Sequence, residues 1–272
     1  MKANGMPAAH APAHPSAPPA AHDPAILLAH TAHRPYPLPQ GAWLMYQSWH
    51  DLLFIHWPVA AAQLAAHIPA SLRLDTFAGQ AWIAVVPFWM SSVRPRWLPA
   101  VPPMSRFLEL NVRTYVTTHT GDKPGVFFFS LEASNPLAVQ IARTLFHLPY
   151  MDARMTWDGT HYTSQRTHRG EPHAHFRARY TPTGPATTTA AGTLAHWLTE
   201  RYCLYTTDRQ GTLLRGNIHH LTWPLQPAQL ALEENSMLAP YGIRVPDEAP
   251  LLHFARRLDV LVWALEPVGA EG

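Results

Sequence analysis

The chain reads as a mainly β protein with a few short helices, an antiparallel barrel or sandwich carrying inserted helices. Three observations predict this. Residues 43–265 break into short aromatic and β-branched runs punctuated by Pro and Gly turn signals. The run 107–117 alternates, with Leu108, Leu110, Val112, Thr114 and Val116 on one face and Glu109, Asn111, Arg113 and Tyr115 on the other. Helical spacing is confined to segments of about ten residues, too few and too short for a helical core.

Composition narrows the class further. Of 272 residues, 47% are hydrophobic and 14% charged, the latter against roughly 25% in an average globular chain, which excludes a disordered or coiled-coil protein. Apolar runs are strand-sized, short of the roughly 18 residues a membrane-spanning helix needs, so no membrane partner is expected. The net charge of +2 comes from scattered Arg, not from a basic block that would track phosphates, so nucleic acid is not expected either. The single Cys203 excludes an internal disulfide and a thiolate metal cluster and fits a reducing cytoplasm. Only two lysines occur, Lys2 and Lys123, which leaves lysine chemistry almost nowhere to act.

The elements follow in order. The first forty residues contain nine Pro, eleven Ala and five His, without apolar periodicity, so residues 1–39 read as a disordered Ala/Pro/His-rich tail and 40–268 as one domain. Residues 43–57 read as strand, and Pro58 as the start of a short Ala-rich helix to about residue 67. Segments 72–76 and 81–89 flank a Phe-Ala-Gly turn signal and read as a hairpin. The Pro-rich stretch 95–103 is a loop, 107–117 a strand and 126–131 another. Asn135–Pro136 opens an amphipathic helix to about residue 147. Short strands follow near 153–157 and 176–180, then a helix over 192–202, a strand over 213–223, a third helix over 227–235 and a long closing strand over 251–265.

Standard catalytic signatures are absent: there is no dinucleotide GxGxxG loop, Walker loop, HExxH or GxSxG. His173 with His175, and His219 with His220, lack a third ligand at matching spacing and read as surface or hydrogen-bonded histidines, so no metal and no cofactor is expected. The polar face of 107–117 carries two readings. In an open sheet Glu109, Asn111, Arg113 and Tyr115 are solvated; in a closed barrel they line the lumen as a paired, pKa-perturbed ligand site.

Seven blocks carry a resemblance: WHDLLFIHWPV (49–59), LRLDTFAGQAWIAVVPF (72–88), FLELNVRTYV (107–116), GVFFFSLEA (125–133), ARTLFHLPY (142–150), LTERYCLYT (198–206) and LLHFARRLDVLVW (251–263). In this order, over roughly 42–266, they resemble the bacterial YqjF-like family, a domain of unknown function. That family is similar in turn to acetoacetate decarboxylase. The resemblance implies a closed antiparallel β-barrel with a central cavity, and favours the lumen-facing reading of 107–117. It also places the family's buried Glu at Glu109, its Arg at Arg143, its Pro at Pro149 and its two lysines at Tyr150 and Met151. The imine-forming amine is therefore missing, since Lys2 lies in the tail and Lys123 in a GDKPG turn.

The expected function is binding of a small organic molecule, polar or carboxylated, in the cavity, either with non-Schiff-base lyase or hydrolase chemistry or as a non-catalytic binding or stress/sensory protein. Glu109 is the expected acid or base and Tyr150 a donor. Arg113, Tyr115, Asn111, Arg143 and His56 are the expected ligand-binding residues. A homo-oligomer is left open.

Overall fold

The structure, a computed structural model, describes residues 23–102 and 104–269. The chain runs α1 (Pro24–Ala29), β1 (Met45–Val59), α2 (Ala61–Ala65), β2 (Leu72–Leu74), β3 (Ala81–Pro95), β4 (Phe107–Thr118), β5 (Gly125–Ala133) and α3 (Pro136–Leu145). It continues with β6 (Tyr150–Trp157), β7 (His161–Arg166), β8 (His175–Pro182), α4 (Leu194–Thr199), β9 (Cys203–Thr207), β10 (Leu213–His219), β11 (Ala228–Asn235) and β12 (Leu251–Pro267).

Seven strands close on themselves in the order β1-β3-β4-β5-β9-β10-β12, with β12 pairing back onto β1. The barrel is mixed, not wholly antiparallel as expected, because β5 pairs in parallel with β9 and, further along, with β6. A Cβ on Gly125 would meet the Cys203 carbonyl at 2.7 Å, so glycine is what lets β5 and β9 approach there. From β6 the sheet leaves the barrel and continues through β7 and β8 to β11. This outer sheet folds back over the barrel wall, where Tyr162, Phe176 and Tyr180 share one core with Ile55, Leu110, Val112 and Phe254.

That layering explains β4. Its apolar residues Leu110 and Val112 face the outer sheet while Glu109, Asn111 and Arg113 face the lumen, and all five are buried. The alternation is real, but neither face meets water. The α3 helix starts where its cap predicts, with Asn135 Oδ1 accepting from the Leu137 and Ala138 N–H groups and Pro136 in the first turn.

Several expectations are corrected. Pro58 belongs to β1 and lies opposite Trp82; β12 pairing stops at His56, so Pro58 is flanked on one side only, where a missing N–H is tolerated. Residues 72–74 pair with β4 and not with β3, leaving an isolated Phe77–Gln80 bridge in place of the hairpin. Residues 227–235, rich in helix formers, are strand β11. There Leu230 packs on the core while Glu233 and Glu234 take the guanidiniums of Arg179 and Arg177 across the ladder at 3.1 and 3.0 Å, and pairing outweighs local propensity.

The expectation of a tail through residue 39 covers residues 1–22, which lie outside the described residues, and fails over 23–39. Leu27 of α1 is 1% exposed among Trp43, Tyr46, Leu261 and Trp263. Arg34 donates to the Ile218 carbonyl at 2.9 Å and contacts His219 Nδ1 at 3.0 Å. A few large side chains anchored on the barrel wall hold a segment whose composition alone signals none.

Candidate active site

The barrel encloses a cavity of about 290 Å³. Most of its wall is apolar, including Trp49, Leu52, Phe88, Phe128, Leu131 and Trp223, and the polar side chains Glu109, Asn111, Arg113, Tyr150 and Arg201 break that wall at a few points. This is the pattern of a ligand site, in which few polar groups orient a molecule held by apolar contact.

Glu109 and Tyr150 come from different strands, and the β5–β6 pairing brings them together by setting Tyr150 beside Leu131. The Tyr150 hydroxyl donates to Glu109 Oε2 at 2.8 Å. Burial pushes the Glu109 carboxyl up to about 8; the bond from Tyr150 works against that rise and the charge of Glu132 adds to it. Burial and the neighbouring Glu109 hold the Tyr150 phenol well above its ordinary value. At neutral pH the pair is a carboxylic acid accepting from a phenol, which leaves the carboxyl proton available to a third group.

Arg113 has a different environment. Its guanidinium lies over the Phe54 ring at 5.0 Å, and among the described residues no carboxylate stands within ion-pair distance of it. Burial lowers its pKa, with Tyr115 working the other way and Arg201 adding to the drop. Four lining side chains keep a buried polar atom without a hydrogen-bond partner among the described residues: Arg113 Nε, Arg201 Nη2, Trp223 Nε1 and Asn111 Oδ1. Three of the four are donors. Unmatched buried donors are costly, and what would satisfy them is a group that only accepts.

Tyr115 and His56 do not line the cavity. The Tyr115 ring is covered by Trp197 at 4.8 Å and by the Arg201 guanidinium at 4.9 Å, and its hydroxyl meets His56 Nε2 at 2.6 Å. Burial, then Arg113 and His253, keep His56 well below its usual range and neutral. These two residues back Arg113 and do not contact the lumen. Arg143 is outside as well. It sits on the exposed side of α3, donates to the Tyr150 carbonyl at 2.6 Å and borders a second, open groove with His147 and Asp208. Met151, in line with the second family lysine, also faces that groove.

Lys123, the lysine among the described residues, is in the β4–β5 turn with its Nζ 5.6 Å from the Tyr36 ring centre and is not part of the cavity wall. The sequence reading missed Arg201 and Trp223. Arg201 stands inside one of the blocks that carry the family resemblance, yet it follows α4 directly, and nothing local shows that it turns into the barrel. Among the described residues no group of three or more His, Cys, Asp or Glu is placed to hold a metal ion, and no helix is long and apolar enough to cross a membrane.

Residues 46–259 match the DUF2071 family, described as an uncharacterized conserved protein. The chain belongs to this family. It is 46% identical over 232 residues to "Uncharacterized protein YqjF" of Bacillus subtilis (strain 168), a match covering 84% of this chain and 94% of that one. Among solved structures it is similar to acetoacetate decarboxylase from Legionella pneumophila (TM-score 0.55, 12% identity, 88% of this chain and 93% of that one). It is similar also to the enduracididine biosynthesis enzyme MppR complexed with pyruvate (TM-score 0.57, 7% identity, 86% and 93% covered). Likeness at this identity establishes the acetoacetate decarboxylase-like barrel fold and no activity.

Proposed function

We propose that the cavity binds a small organic carboxylate, seated on Arg113, and that Glu109 with Tyr150 supplies a proton to a bound oxygen in a reaction that forms no imine. The observation that carries the reading is the buried Arg113 guanidinium with no carboxylate partner among the described residues. An uncompensated buried charge costs several kcal/mol, roughly 3–5 where it has been created by mutation, and an incoming carboxylate removes that cost. That the structural neighbour MppR is found with pyruvate, itself a carboxylate, is in keeping with this.

The neighbouring acid favours an enzymatic role of lyase or hydrolase type over a purely binding or sensory one. A carboxyl raised to about 8 is protonated at neutral pH and close enough to neutrality to give and regain a proton, as a general acid must. The missing lysine separates this chemistry from Schiff-base decarboxylation. We place the protein in the cytoplasm, a reading supported by the free Cys203 thiol buried in the barrel.

Native mass spectrometry of the purified protein tests the reading. The expected result is a retained or added acid whose binding falls at least tenfold in Arg113→Gln. A retained ligand without an acidic group, or one held equally well by Arg113→Gln, would overturn it.

A further inference from the structure

Resting on that reading of Arg113, the geometry points to the class of acid: one with a second polar group, an acceptor oxygen remote from the carboxylate, joined to it by an apolar body. The cavity carries a polar group toward each end of the β4 lumen face, Glu109 at one and Arg113 at the other, with Asn111 between them. Glu109 and Arg113 lie four residues apart on β4, roughly 13 Å along an extended strand at ~3.3 Å per residue. Register places Glu109 beside Phe88 and Ala133, and Arg113 beside Ala84 and Phe128. The charges acting on Glu109 come from Tyr150 and Glu132, and those acting on Arg113 from Tyr115 and Arg201. Neither end screens the other.

The unmatched donors gather at the Arg113 end. Arg113 stacks on Phe54, whose ring meets Trp223 edge-on at 4.9 Å, and Arg201 is close enough to act on Arg113. A carboxylate there meets the donors of Arg113, Arg201 and Trp223, while the one unmatched acceptor, Asn111 Oδ1, lies two residues nearer Glu109. At the other end Tyr150 has spent its hydroxyl on Glu109 Oε2, and the carboxyl proton of Glu109 is left to donate. A neutral acceptor oxygen fits that proton, whereas a second carboxylate would bring a charge into an apolar wall. The volume of about 290 Å³ equals about ten waters at ~30 Å³ each, room for about ten non-hydrogen atoms. A three- or four-carbon oxo acid carries both groups within a few ångströms, a shorter span than the roughly 13 Å of backbone between Glu109 and Arg113.

Four probes test this by quenching of Trp49 and Trp223 fluorescence in the full-length protein: 7-oxooctanoate, octanoate, 2-octanone and acetoacetate. At pH 6 the oxo acid is expected to bind roughly tenfold tighter than octanoate, the value of one added buried hydrogen bond, and at least tenfold tighter than acetoacetate. By pH 9 Glu109 is ionised and offers the ketone no proton, so the advantage over octanoate falls below about threefold. The other groups around Glu109 keep their state over this interval: Tyr150 from β6 and Tyr162 from β7 remain protonated and Glu132 from β5 stays paired with Arg166. In Glu109→Gln, whose amide donates at every pH, the advantage is expected to lose its pH dependence.

Equal binding of octanoate and the oxo acid at pH 6, equal binding of acetoacetate, or an advantage unchanged at pH 9 in the unmodified protein would each overturn the proposal. The Arg113 reading fails differently, through 2-octanone binding as tightly as the oxo acid. Absence of binding by all four probes overturns both.

Discussion

Two buried arginines sit on opposite sides of the barrel wall and live under opposite rules. Arg166, on the outer sheet, gives its Nε to Glu132 Oε1 at 2.9 Å and its Nη2 to Ser130 Oγ at 3.1 Å. Burial works against its charge, but Glu132, with Tyr241 beside it, more than offsets this and holds Arg166 above its ordinary value. Arg113, a few residues away through the wall, has Phe54 beneath it and an unpartnered Nε, and its pKa is lowered. The first charge is neutralised inside the protein and joins two layers. The second keeps an unmatched Nε on the cavity wall, which is what the proposed carboxylate would meet. Burial by itself therefore does not single out a candidate ligand-binding charge; a missing partner inside a cavity does.

The largest expected effect tests the structural half of this contrast. Glu132→Gln removes the charge partner of Arg166 in a fully buried site, and is expected to lower stability by about 3–5 kcal/mol in urea denaturation. A loss under about 1 kcal/mol would mean the pair is not what joins the layers.

Next comes the pH dependence of Glu109. Its folded pKa of about 8 is raised above the unfolded carboxyl value, so the folded state binds the extra proton. Its stabilising share is complete below the unfolded value and is lost as pH climbs through about 8. The half-buried His50 and the buried His56 and His219 titrate the other way, their folded values being lowered, and contribute only below about 6.5. Between about pH 6.5 and 8 the unmodified protein should therefore lose up to about 1.4 kcal/mol per unit relative to Glu109→Gln, roughly 2 kcal/mol in all. Parallel stability curves for the two proteins would place the carboxyl proton elsewhere.

The smallest effect has the opposite sign to most core substitutions. Arg113→Met removes an uncompensated charge from an apolar wall and is expected to stabilise the ligand-free protein by about 1–2 kcal/mol while abolishing carboxylate binding. Thermal melts with and without octanoate check both halves. Destabilisation of the free protein would put Arg113 in the same class as Arg166.

Much of the architecture was legible locally. The period-two pattern of residues 107–117 marks β4, the Asn135–Pro136 pair marks the start of α3, and the turn-punctuated aromatic runs mark most barrel strands, because each is a property of neighbouring residues. Glu109, Asn111 and Arg113 were identifiable as site candidates from the alternation of β4, Glu109 by the family resemblance as well, and Tyr150 by that resemblance alone.

What sequence could not decide was which side of each strand faces what, and who arrives from far along the chain. The same alternation in β4 serves a solvated sheet or a lumen, and only closure of β12 onto β1, with the outer sheet on the other face, makes the polar side interior. Arg143 and His56 looked equivalent to Arg113 by residue type, yet a helix face turns one outward and Tyr115 screens the other. Arg201 and Trp223 enter the cavity from segments more than eighty residues beyond β4, and residues 228–235 become a strand because β8 offers a ladder to pair with and the core a place for Leu230. Local spacing is written in the chain as dihedral preference and periodicity. Burial, pairing and the absence of a counter-charge are sums over distant residues, and they exist only once the barrel has closed.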